Sequence, residues 1–412
     1  MTSALIRGWC PGALRPMQSG DGLILRLRVT GGRLDAARAR AIADLASRYG
    51  NGEIDLGRRG NLQLRGLKSD IVETVLAELA RLGLIDGDAA SEAIRNVVTS
   101  SLSDLDPEAR GDAFALARRL EAALIADREL ATLPAKFGFA IDDGGRFGLD
   151  RVPADIRLRF EDGAVSLRVD GAQDLAAVLA PDEAVDGALK LARAFLDLSV
   201  GLDPPPRRMA ALARSVGAEQ LFAAAGLPSR SIPPSASDHL AAPLIGAFDT
   251  HVGVGLAFGR VSAEELRLVA DVAADGLRLT PFRALLLPGV AAAALPRLAA
   301  AGFITTADDP LRQVIACPGA SACAASTIET RALARHLAGL RKTANHLNDD
   351  VWLHVSGCVK SCASSTSHAA TLVGRDGAVD LVLDGRPADQ PHLSGLDANA
   401  VEAALRSETI IP

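Results

Sequence analysis

The sequence lacks the features of a membrane-spanning or secreted protein. Its longest apolar run, 284–296, is broken by Pro288 and Gly289 and is shorter than the roughly 20 residues needed to cross a bilayer. The N-terminal residues lack the basic start, apolar run and cleavage site of a secretory signal. The 412 residues include only five cysteines. We therefore expect a cytoplasmic protein whose cysteines serve thiol, metal or redox chemistry and form no disulfide framework.

The chain also lacks the positive charge of a nucleic-acid-binding protein, because its formal net charge is −6. The charge is unevenly distributed: residues 1–70 contain twelve Lys and Arg against six Asp and Glu, which leaves +6 there and −12 in the remainder. Solvated arginines are the simpler interpretation of this excess. A pocket for a polyanionic small molecule is the sharper one.

An internal repeat organises the chain. Over 22–101 and again over 251–318, strands and Ala-rich helices follow one another in the same order, and both copies end in similar segments, RNVVTS (95–100) and RQVIAC (312–317). A duplication predicts two half-domains related by a pseudo-twofold axis with a site between them. Two unrelated α/β modules are the alternative, but they would not explain the shared order of elements.

Four cysteines form two close pairs, Cys317 with Cys323 and Cys358 with Cys362. Four thiolates can bind Zn²⁺ or a [4Fe–4S] cluster. Structural zinc pairs usually leave two to four residues between cysteines, whereas the first pair here spans the longer, small-residue loop PGASA. The spacing therefore favours a [4Fe–4S] cluster over zinc or unligated thiols.

A polar strand in the first copy is the second candidate site. Because side chains alternate along a strand, Arg59, Asn61, Gln63 and Arg65 should share one face. The matching stretch of the second copy, FRALLL (282–287), is largely apolar. The first copy is therefore expected to supply the working wall of the site, although a solvated polar face is the plainer alternative.

These motifs resemble the sulfite/nitrite reductase superfamily. The similar segments are RGNLQ (59–63), RNV (95–97), LPAKF (133–137) and the spacing of the four cysteines. The resemblance covers nearly the whole chain. It implies an α+β fold with two ferredoxin-like half-domains, related by the pseudo-twofold axis, and two α/β domains that bind an iron–sulfur cluster and a tetrapyrrole. It also implies that Arg59, Arg95 and Lys136 line an anionic substrate site as catalytic residues, and that Cys362 bridges the cluster to siroheme iron. Asn61, Gln63, Arg65 and Asn96 are the expected substrate-binding residues.

One departure favours a particular branch of that superfamily. The reductases typically carry a second lysine where this chain has Gly138, and losing a cation weakens the case for sulfite or nitrite reduction. The opening RGWCP (7–11), with PM (16–17) and GDGL (20–23), is similar to the precorrin-3B synthase branch of aerobic cobalamin biosynthesis. That resemblance implies an O₂-dependent monooxygenase that hydroxylates precorrin-3A at C20 and closes a γ-lactone.

The same resemblance sets the expected cofactors and partners. It implies a [4Fe–4S] cluster and a mononuclear non-haem iron, whose ligands the sequence does not identify. His354 and His368 lie near the cluster cysteines, but hydrogen-bonded structural histidines are the simpler expectation, and a structural loop is the simpler role for Cys10. The electron donor should be a ferredoxin or a separate NAD(P)H-dependent reductase, since no dinucleotide-binding fingerprint follows a strand. A siroheme-dependent reductase and a non-catalytic, zinc-stapled binding protein are the alternatives.

The repeat and the Pro- and Ser-rich stretches at 203–206 and 228–238 divide the sequence into five segments. We predict a first ferredoxin-like half-domain at 1–85, a first α/β domain at 86–202, a linker at 203–243, a second half-domain at 244–305, and a second α/β domain carrying the cysteines at 306–412.

Overall fold

The computed structural model describes residues 10–233, 244–340, 351–408 and 410. Its first ferredoxin-like half-domain runs through the following elements: β1 (Met17–Ser19), β2 (Gly22–Leu27), β3 (Arg33–Leu34), α1 (Ala36–Tyr49), β4 (Glu53–Leu56), β5 (Leu62–Leu67) and α2 (Val72–Arg81). The first α/β unit follows, with α3 (Ala89–Ile94), β6 (Val97–Thr99), α4 (Ala113–Ala126), β7 (Phe139–Asp142), β8 (Ile156–Glu161), β9 (Ala164–Val169), β10 (Ala172–Leu179), α5 (Ala184–Ser199), α6 (Met209–Val216), α7 (Ala218–Ala224) and β11 (Arg230–Ser231).

The second half of the chain repeats this plan. Its half-domain contains β12 (Gly246–Ala247), β13 (His251–Gly255), β14 (Arg260–Ser262), α8 (Ala263–Val272), β15 (Leu277–Leu279), β16 (Ala284–Pro288) and α9 (Leu295–Ala300). Its α/β unit contains β17 (Val314–Ala316), α10 (Thr330–Ala338), β18 (Leu353–Ser356), β19 (His368–Arg375), β20 (Ala378–Gly385), β21 (Leu393–Leu396) and α11 (Ala398–Ser407). None of the described helices is long and apolar enough to cross a bilayer.

The four sheets confirm the predicted duplication. The half-domain sheets have the orders β1-β2-β5-β4-β14 and β12-β13-β16-β15-β3, and the α/β sheets have the orders β11-β10-β9-β8-β7-β6 and β17-β18-β19-β20-β21. Each half-domain strand of one copy has a counterpart at the same place in the other. In the α/β sheets β6 to β10 match β17 to β21, and β11 of the first copy has no counterpart among the described strands. The α+β architecture with two pseudo-twofold-related half-domains is therefore confirmed.

The two half-domains exchange their edge strands. The strand β14 of the second copy pairs with β4 of the first, where Val261 lies opposite Ile54, and β3 of the first copy pairs with β15 of the second, where Leu34 lies opposite Leu277. All four side chains are buried in one apolar core shared by the half-domains. Each α/β unit has a separate core of its own.

Local signals in the sequence explain the helix starts. The Asp35 carboxylate accepts a hydrogen bond from the backbone N–H of Arg38 and caps α1. At the matching place in the second copy, Ser262 and Glu265 form a capping box at the start of α8. The predicted hairpin is also present, since Ile156, Leu158 and Phe160 alternate inward along β8 before the turn into β9.

Two segments differ from the sequence prediction. The predicted linker, 203–243, contains α6, α7 and β11, because Met209, Leu212 and Phe222 bury apolar side chains in the core of the first α/β unit. The last part of that segment, 234–243, lies outside the described residues. The stretch 324–340, between the two cysteine pairs, predicts a helix from the sequence. The helix α10 begins only at Thr330, because 320–329 forms a closed loop in which Ala320 N donates to Ile328 O.

Candidate functional site

The four predicted metal-binding cysteines lie at one end of the second α/β sheet. Cys317 follows β17, and Cys358 and Cys362 follow the parallel neighbour β18. Parallel strands bring their carboxyl ends to the same edge, so the two pairs converge there. Cys317 is buried and accepts a hydrogen bond from the backbone N–H of Gly357 to its Sγ at 3.2 Å.

The first copy has a serine at the position of Cys317. The matching hydrogen bonds are Ser100 N to Ile141 O (3.0 Å) and Asp143 N to Ser100 Oγ (3.0 Å) in the first copy, and Cys317 N to Val355 O (3.3 Å) and Gly357 N to Cys317 Sγ (3.2 Å) in the second. The correspondence between Ser100 and Cys317 therefore holds in three dimensions. One backbone frame presents an oxygen in one copy and a sulfur in the other.

The thiols lie within electrostatic range of one another. Burial and the neighbouring Cys358, Cys317 and Cys323 raise the pKa of the Cys362 thiol to about 11. Burial also raises the pKa of the Cys358 thiol. Such thiols lose their protons when a cationic group receives them, so the four-sulfur donor set fits a thiolate-ligated iron–sulfur cluster. Among the described residues, no three His, Cys, Asp or Glu side chains lie close enough to bind a single metal ion.

Arg65 connects the polar strand to the cysteine loop. Its guanidinium donates to both carboxylate oxygens of Asp21 at 2.9 and 3.0 Å, to Asp55 at 3.2 Å and to Ser19 Oγ at 3.2 Å. It also donates to the carbonyl of Ala322, inside the cysteine loop, at 2.8 Å. The predicted substrate-binding role of Arg65 would need these contacts to be broken, and the arginine instead attaches β5 to the loop.

The polar residues 59–63 lie between the half-domain and the first α/β unit, and only Gln63 of the polar ones is in β5, because Arg59 and Asn61 belong to the turn before it. Leu62 and Leu64 point into the core, while the side chains of Arg59, Asn61 and Gln63 are half-buried. Gln63 and Asn61 make no side-chain hydrogen bond within the described part of the chain. This face, 59–63, is the part of the predicted site that remains free to contact a ligand.

Arg59 reaches from this face to the first α/β unit. Its Nη2 donates to the carbonyl of Lys136 at 2.7 Å, and burial together with the nearby Arg208 lowers its pKa. The Lys136 side chain is exposed. Arg59 thus contacts the backbone of Lys136, whose side chain is open to solvent at the edge of the face.

Arg95 lies elsewhere, and each of its five N–H groups has an acceptor. It forms a two-pronged pair with Asp86 at 2.9 and 3.0 Å and donates to Thr30 and Glu121 at 3.1 and 3.2 Å and to the carbonyl of Arg28 at 2.9 Å. A substrate anion could reach Arg95 only by displacing Asp86 or Glu121. Arg95 therefore has no free N–H group for the direct contact with substrate that was expected of it.

Asn96 is also committed to the protein. Its amide donates to the carbonyls of Ala93, Ala135 and Phe137 at 3.0, 3.3 and 3.1 Å. These bonds hold the segment that carries Lys136 against the end of α3. Asn96 therefore positions the lysine, whereas the sequence had suggested a substrate contact.

Gly138 lies directly against the Arg59 guanidinium. A Cβ atom added there would lie 3.2 Å from Asn96 O and 3.4 Å from Arg59 Cζ and Nη1. A side chain at this position would therefore be crowded mainly by the Asn96 carbonyl and would lie in van der Waals contact with the Arg59 guanidinium.

The two histidines near the cysteines differ from each other. His368 makes hydrogen bonds through Nδ1 to Val351 O at 3.0 Å and through Nε2 to Ser364 Oγ at 2.8 Å, as expected of a structural histidine. His354 is fully buried, and neither ring nitrogen has a hydrogen-bond partner among the described residues. Burial, His368 and Arg283 lower the pKa of His354 to about 3, so it is neutral.

Sequence reasoning missed a buried ion pair beside this site. Glu92 pairs with Arg28 at 3.2 Å and also accepts the backbone N–H groups of Ala13 and Leu14. It thereby anchors the segment that follows Cys10. No spacing in the sequence marks Glu92, because its partners lie 64 to 79 positions away.

Comparison with known proteins agrees with this geometry. A family model described as the nitrite/sulfite reductase ferredoxin-like half domain matches residues 15–82 and 247–301, which are the two half-domains. The solved structure of the Mycobacterium tuberculosis NirA protein superposes with a TM-score of 0.74 at 21% identity, over 92% of this chain and 79% of that one, and has the same fold.

Two relatives are similar over most of the sequence. A ferredoxin–nitrite reductase from Synechococcus elongatus is 28% identical over 92% of this chain and 83% of that protein. A precorrin-3B synthase from Sinorhizobium sp is 32% identical over 98% of this chain and 88% of that protein. The chain belongs to the precorrin-3B synthase family, within the nitrite and sulfite reductase superfamily.

Proposed function

We propose that this protein is a precorrin-3B synthase that hydroxylates precorrin-3A at C20 with O₂ and closes a γ-lactone. The observation that carries the proposal is the open polar face 59–63, which is attached through Arg65 to the cysteine loop and lacks the second lysine at Gly138. A carboxylate-rich tetrapyrrole on this face would lie between the Arg59 guanidinium and the four cysteines. The near full-length similarity to the Sinorhizobium synthase supports the same assignment.

The four cysteines would hold a [4Fe–4S] cluster, which supplies electrons one at a time when bound. The Gly357 N–H would remain directed at Cys317 Sγ, and hydrogen bonds to ligand sulfurs tune a cluster's potential. The five-residue loop between Cys317 and Cys323, longer than the usual zinc spacing, favours the cluster over structural zinc. No described residue set identifies ligands for a mononuclear non-haem iron.

The chain's own residues would bind and orient the substrate. Arg59 can pair with a substrate carboxylate through the donors not used on Lys136 O, and Asn61 and Gln63 can donate amide hydrogen bonds beside it. Lys136 would add a cation at the exposed edge. Arg95 and Asn96 then act as positioning residues, since they fix α3 and the segment that carries Lys136.

Hydroxylation incorporates one oxygen atom of O₂ and reduces the other to water, which consumes two electrons and two protons. Those electrons must come from outside the chain. A ferredoxin or a separate NAD(P)H-dependent reductase is the donor class that we propose.

A siroheme-dependent nitrite or sulfite reductase is the second candidate, and the Synechococcus relative favours it. Acid–acetone extraction of the freshly purified protein separates the two functions. We expect no siroheme in the extract, together with O₂-dependent conversion of precorrin-3A by the reduced protein. Stoichiometric siroheme, or conversion that is equally fast without O₂, would refute the proposal.

The zinc-stapled alternative has its own test. The reduced protein should give the EPR signal of a [4Fe–4S] cluster, and Cys362→Ser should lose both that signal and activity. A protein that gives no EPR signal and contains stoichiometric zinc would instead be a binding protein.

A further inference from the structure

A cavity lies in the second copy, at the place that the pseudo-twofold axis relates to the polar face 59–63 of the first copy. It has a volume of about 730 Å³ and is bounded mainly by the second half-domain and both α/β units, with Arg58 of the first half-domain at its edge. Its walls include Phe282, Leu256 and Ile304 on the apolar side and Arg58, Arg151 and Arg283 on the polar side. No residue of the polar face 59–63 lines it, so it is separate from the proposed substrate site. Its volume is within the usual range for small-molecule sites.

The cavity is the second copy's counterpart of the region around Arg59. The turns before β5 and β16 close with the same hydrogen bond, from Gly57 N to Asn61 O at 2.8 Å and from Thr280 N to Ala284 O at 3.2 Å. Aligning the two turns by this hydrogen bond places Phe282 at the position of Arg59. The middle of the second face is filled, since Leu286 packs against Phe147, but the turn end remains open as the cavity.

Arg283 is held in an unfavourable backbone conformation at this turn. Its φ is 57°, in the left-handed region, where the first copy has Gly60 with a φ of 67°. A side chain in this region strains the backbone, and such strain often marks a functional position. Here the strained residue is an arginine that lines the cavity.

Three of the cavity's arginines also lack anionic partners. Burial, with Arg58 and Arg331 nearby, lowers the pKa of Arg283 to about 10, and burial also lowers the pKa of Arg58. Within the described part of the chain, the side chains of Arg58, Arg151 and Arg283 form no ion pair or hydrogen bond. Among its described residues, the cavity wall contains a single carboxylate, that of Asp384. Arg283 is half-buried and Arg58 and Arg151 are exposed, and unpaired guanidinium groups around one cavity favour the binding of an anionic ligand.

We propose that this cavity is a second ligand site, which binds an apolar molecule bearing two or more carboxylates. The three guanidinium groups would pair with carboxylates, and the apolar wall would cover the ligand body. Among such ligands, a tetrapyrrole is favoured because the cavity repeats the setting of the first-copy face. We assign binding to this site and no reaction; the anionic site stands on the cavity itself, and the choice of a tetrapyrrole rests on the proposed function.

Titration of the purified holoprotein with coproporphyrin III, a tetrapyrrole with four carboxylates, tests the proposal by fluorescence. We expect two binding phases. Arg283→Gly and Arg151→Gln should each weaken one phase at least tenfold, and Arg59→Ala should leave that phase in place. Arg283→Gly should also raise the melting temperature, because glycine relieves the left-handed backbone strain. The matched control is Arg267→Gln, which removes a half-buried charge of the second half-domain that pairs with Asp44 of the first, and it should change neither phase.

Competition identifies the ligand class. Displacement of coproporphyrin from the Arg283-dependent phase by hexadecanedioate would extend the site to aliphatic dicarboxylates, whereas failure to displace it would restrict the site to tetrapyrroles. Coproporphyrin binding that is unchanged by both Arg283→Gly and Arg151→Gln would overturn the proposal. The precorrin-3A conversion assay reports the catalytic function independently of this result.

Discussion

At the scale of single residues, the two copies show how one backbone position acquires different chemistry. Ser100 and Cys317 receive equivalent backbone hydrogen bonds, but the residues that donate them differ: Asp143 in the first copy and Gly357 in the second. In the second copy, the residue that donates to the Cys317 sulfur is Gly357, which is small and uncharged. The first copy instead buries a carboxylate beside its serine.

That carboxylate predicts a pH-dependent stability. Burial raises the pKa of Asp143 from 3.8 to about 6, so the native state binds a proton more tightly than the unfolded state does. The Asp143 contribution to stability is therefore present below about pH 4 and is lost as the pH rises through 6. At about 1.4 kcal/mol per pKa unit, the loss is about 3 kcal/mol. We expect Asp143→Asn to raise the melting temperature at pH 7.5 and to flatten its decline between pH 4 and 7.

Circular dichroism melts across that pH range measure the effect. Asp162→Asn, in the exposed turn between β8 and β9, is the matched control and should leave the profile unchanged. If the melting temperature of Asp143→Asn depended on pH in the same way as that of the wild type, Asp143 would have an ordinary pKa in the native protein.

Arg59 gives the second prediction at this scale. A charge-assisted hydrogen bond contributes about 1.5–3 kcal/mol, so Arg59→Ala should raise the KM for precorrin-3A by roughly 10- to 150-fold. The kcat should change less, and the cluster EPR signal should persist, because Arg59 does not contact the cysteine loop. Arg59→Lys should restore only part of the affinity, since an ammonium cannot form the bidentate contact. An unchanged KM in Arg59→Ala would remove Arg59 from the substrate site.

The sequence allowed some of these residues to be predicted and concealed others. Cysteine spacing and strand alternation depend on neighbours in the chain, so Cys317 and Arg59 could be found from the sequence. Whether an arginine is free depends on distant acids. Arg95 meets Glu121, 26 positions away on another helix, and no local pattern reveals that pairing.

At the scale of elements, Arg65 makes the cysteine loop dependent on the first half-domain. Removing it would leave Asp21 without its cation and Asp55 with Arg331 alone, and breaking a buried pair costs about 3–5 kcal/mol. We expect Arg65→Gln to lower the melting temperature and to reduce the iron content per chain, because the loop carrying Cys323 loses its anchor at Ala322.

Iron and sulfide analysis beside a thermal melt tests this coupling. Arg40→Gln, which breaks an exposed pair with Asp271, is the control and should leave both values unchanged. If Arg65→Gln kept its full iron content, the cysteine loop would not depend on its attachment to the first half-domain.

Elements were predictable where their periodicity is strong and less so where tertiary packing decides. The strands β8 and β9 alternate clearly and were placed correctly. The helices α6 and α7 lie in a Pro- and Ser-rich segment that predicted a linker, and they form because Met209 and Phe222 find an existing core. These helices are stabilised by burial of their apolar side chains in that core, which cannot be inferred from the local amino-acid composition.

At the scale of the whole molecule, the repeat was visible in the sequence, but the exchange of edge strands was not. The strand β14 has three residues, and only its pairing with β4 shows that it completes the other copy's sheet. Strand exchange makes the half-domains mutually dependent. It also fixes the first-copy face relative to the second-copy cysteine loop, which a flexible linker between independent domains could not do.

This dependence predicts the behaviour of the two halves as separate chains. Without β14, the fragment 1–238 exposes the backbone edge of β4, and its β3 loses β15; the fragment 239–412 has the reciprocal defects. Exposed strand edges promote aggregation, so each fragment alone should be insoluble or form large assemblies. Co-expression should give a soluble 1:1 complex by size-exclusion chromatography with light scattering, and Val261→Asp, at a buried β14 position, should weaken that complex. A monomeric, folded fragment 1–238 would show that the half-domains are independent, and the face and the cysteine loop would then need another connection.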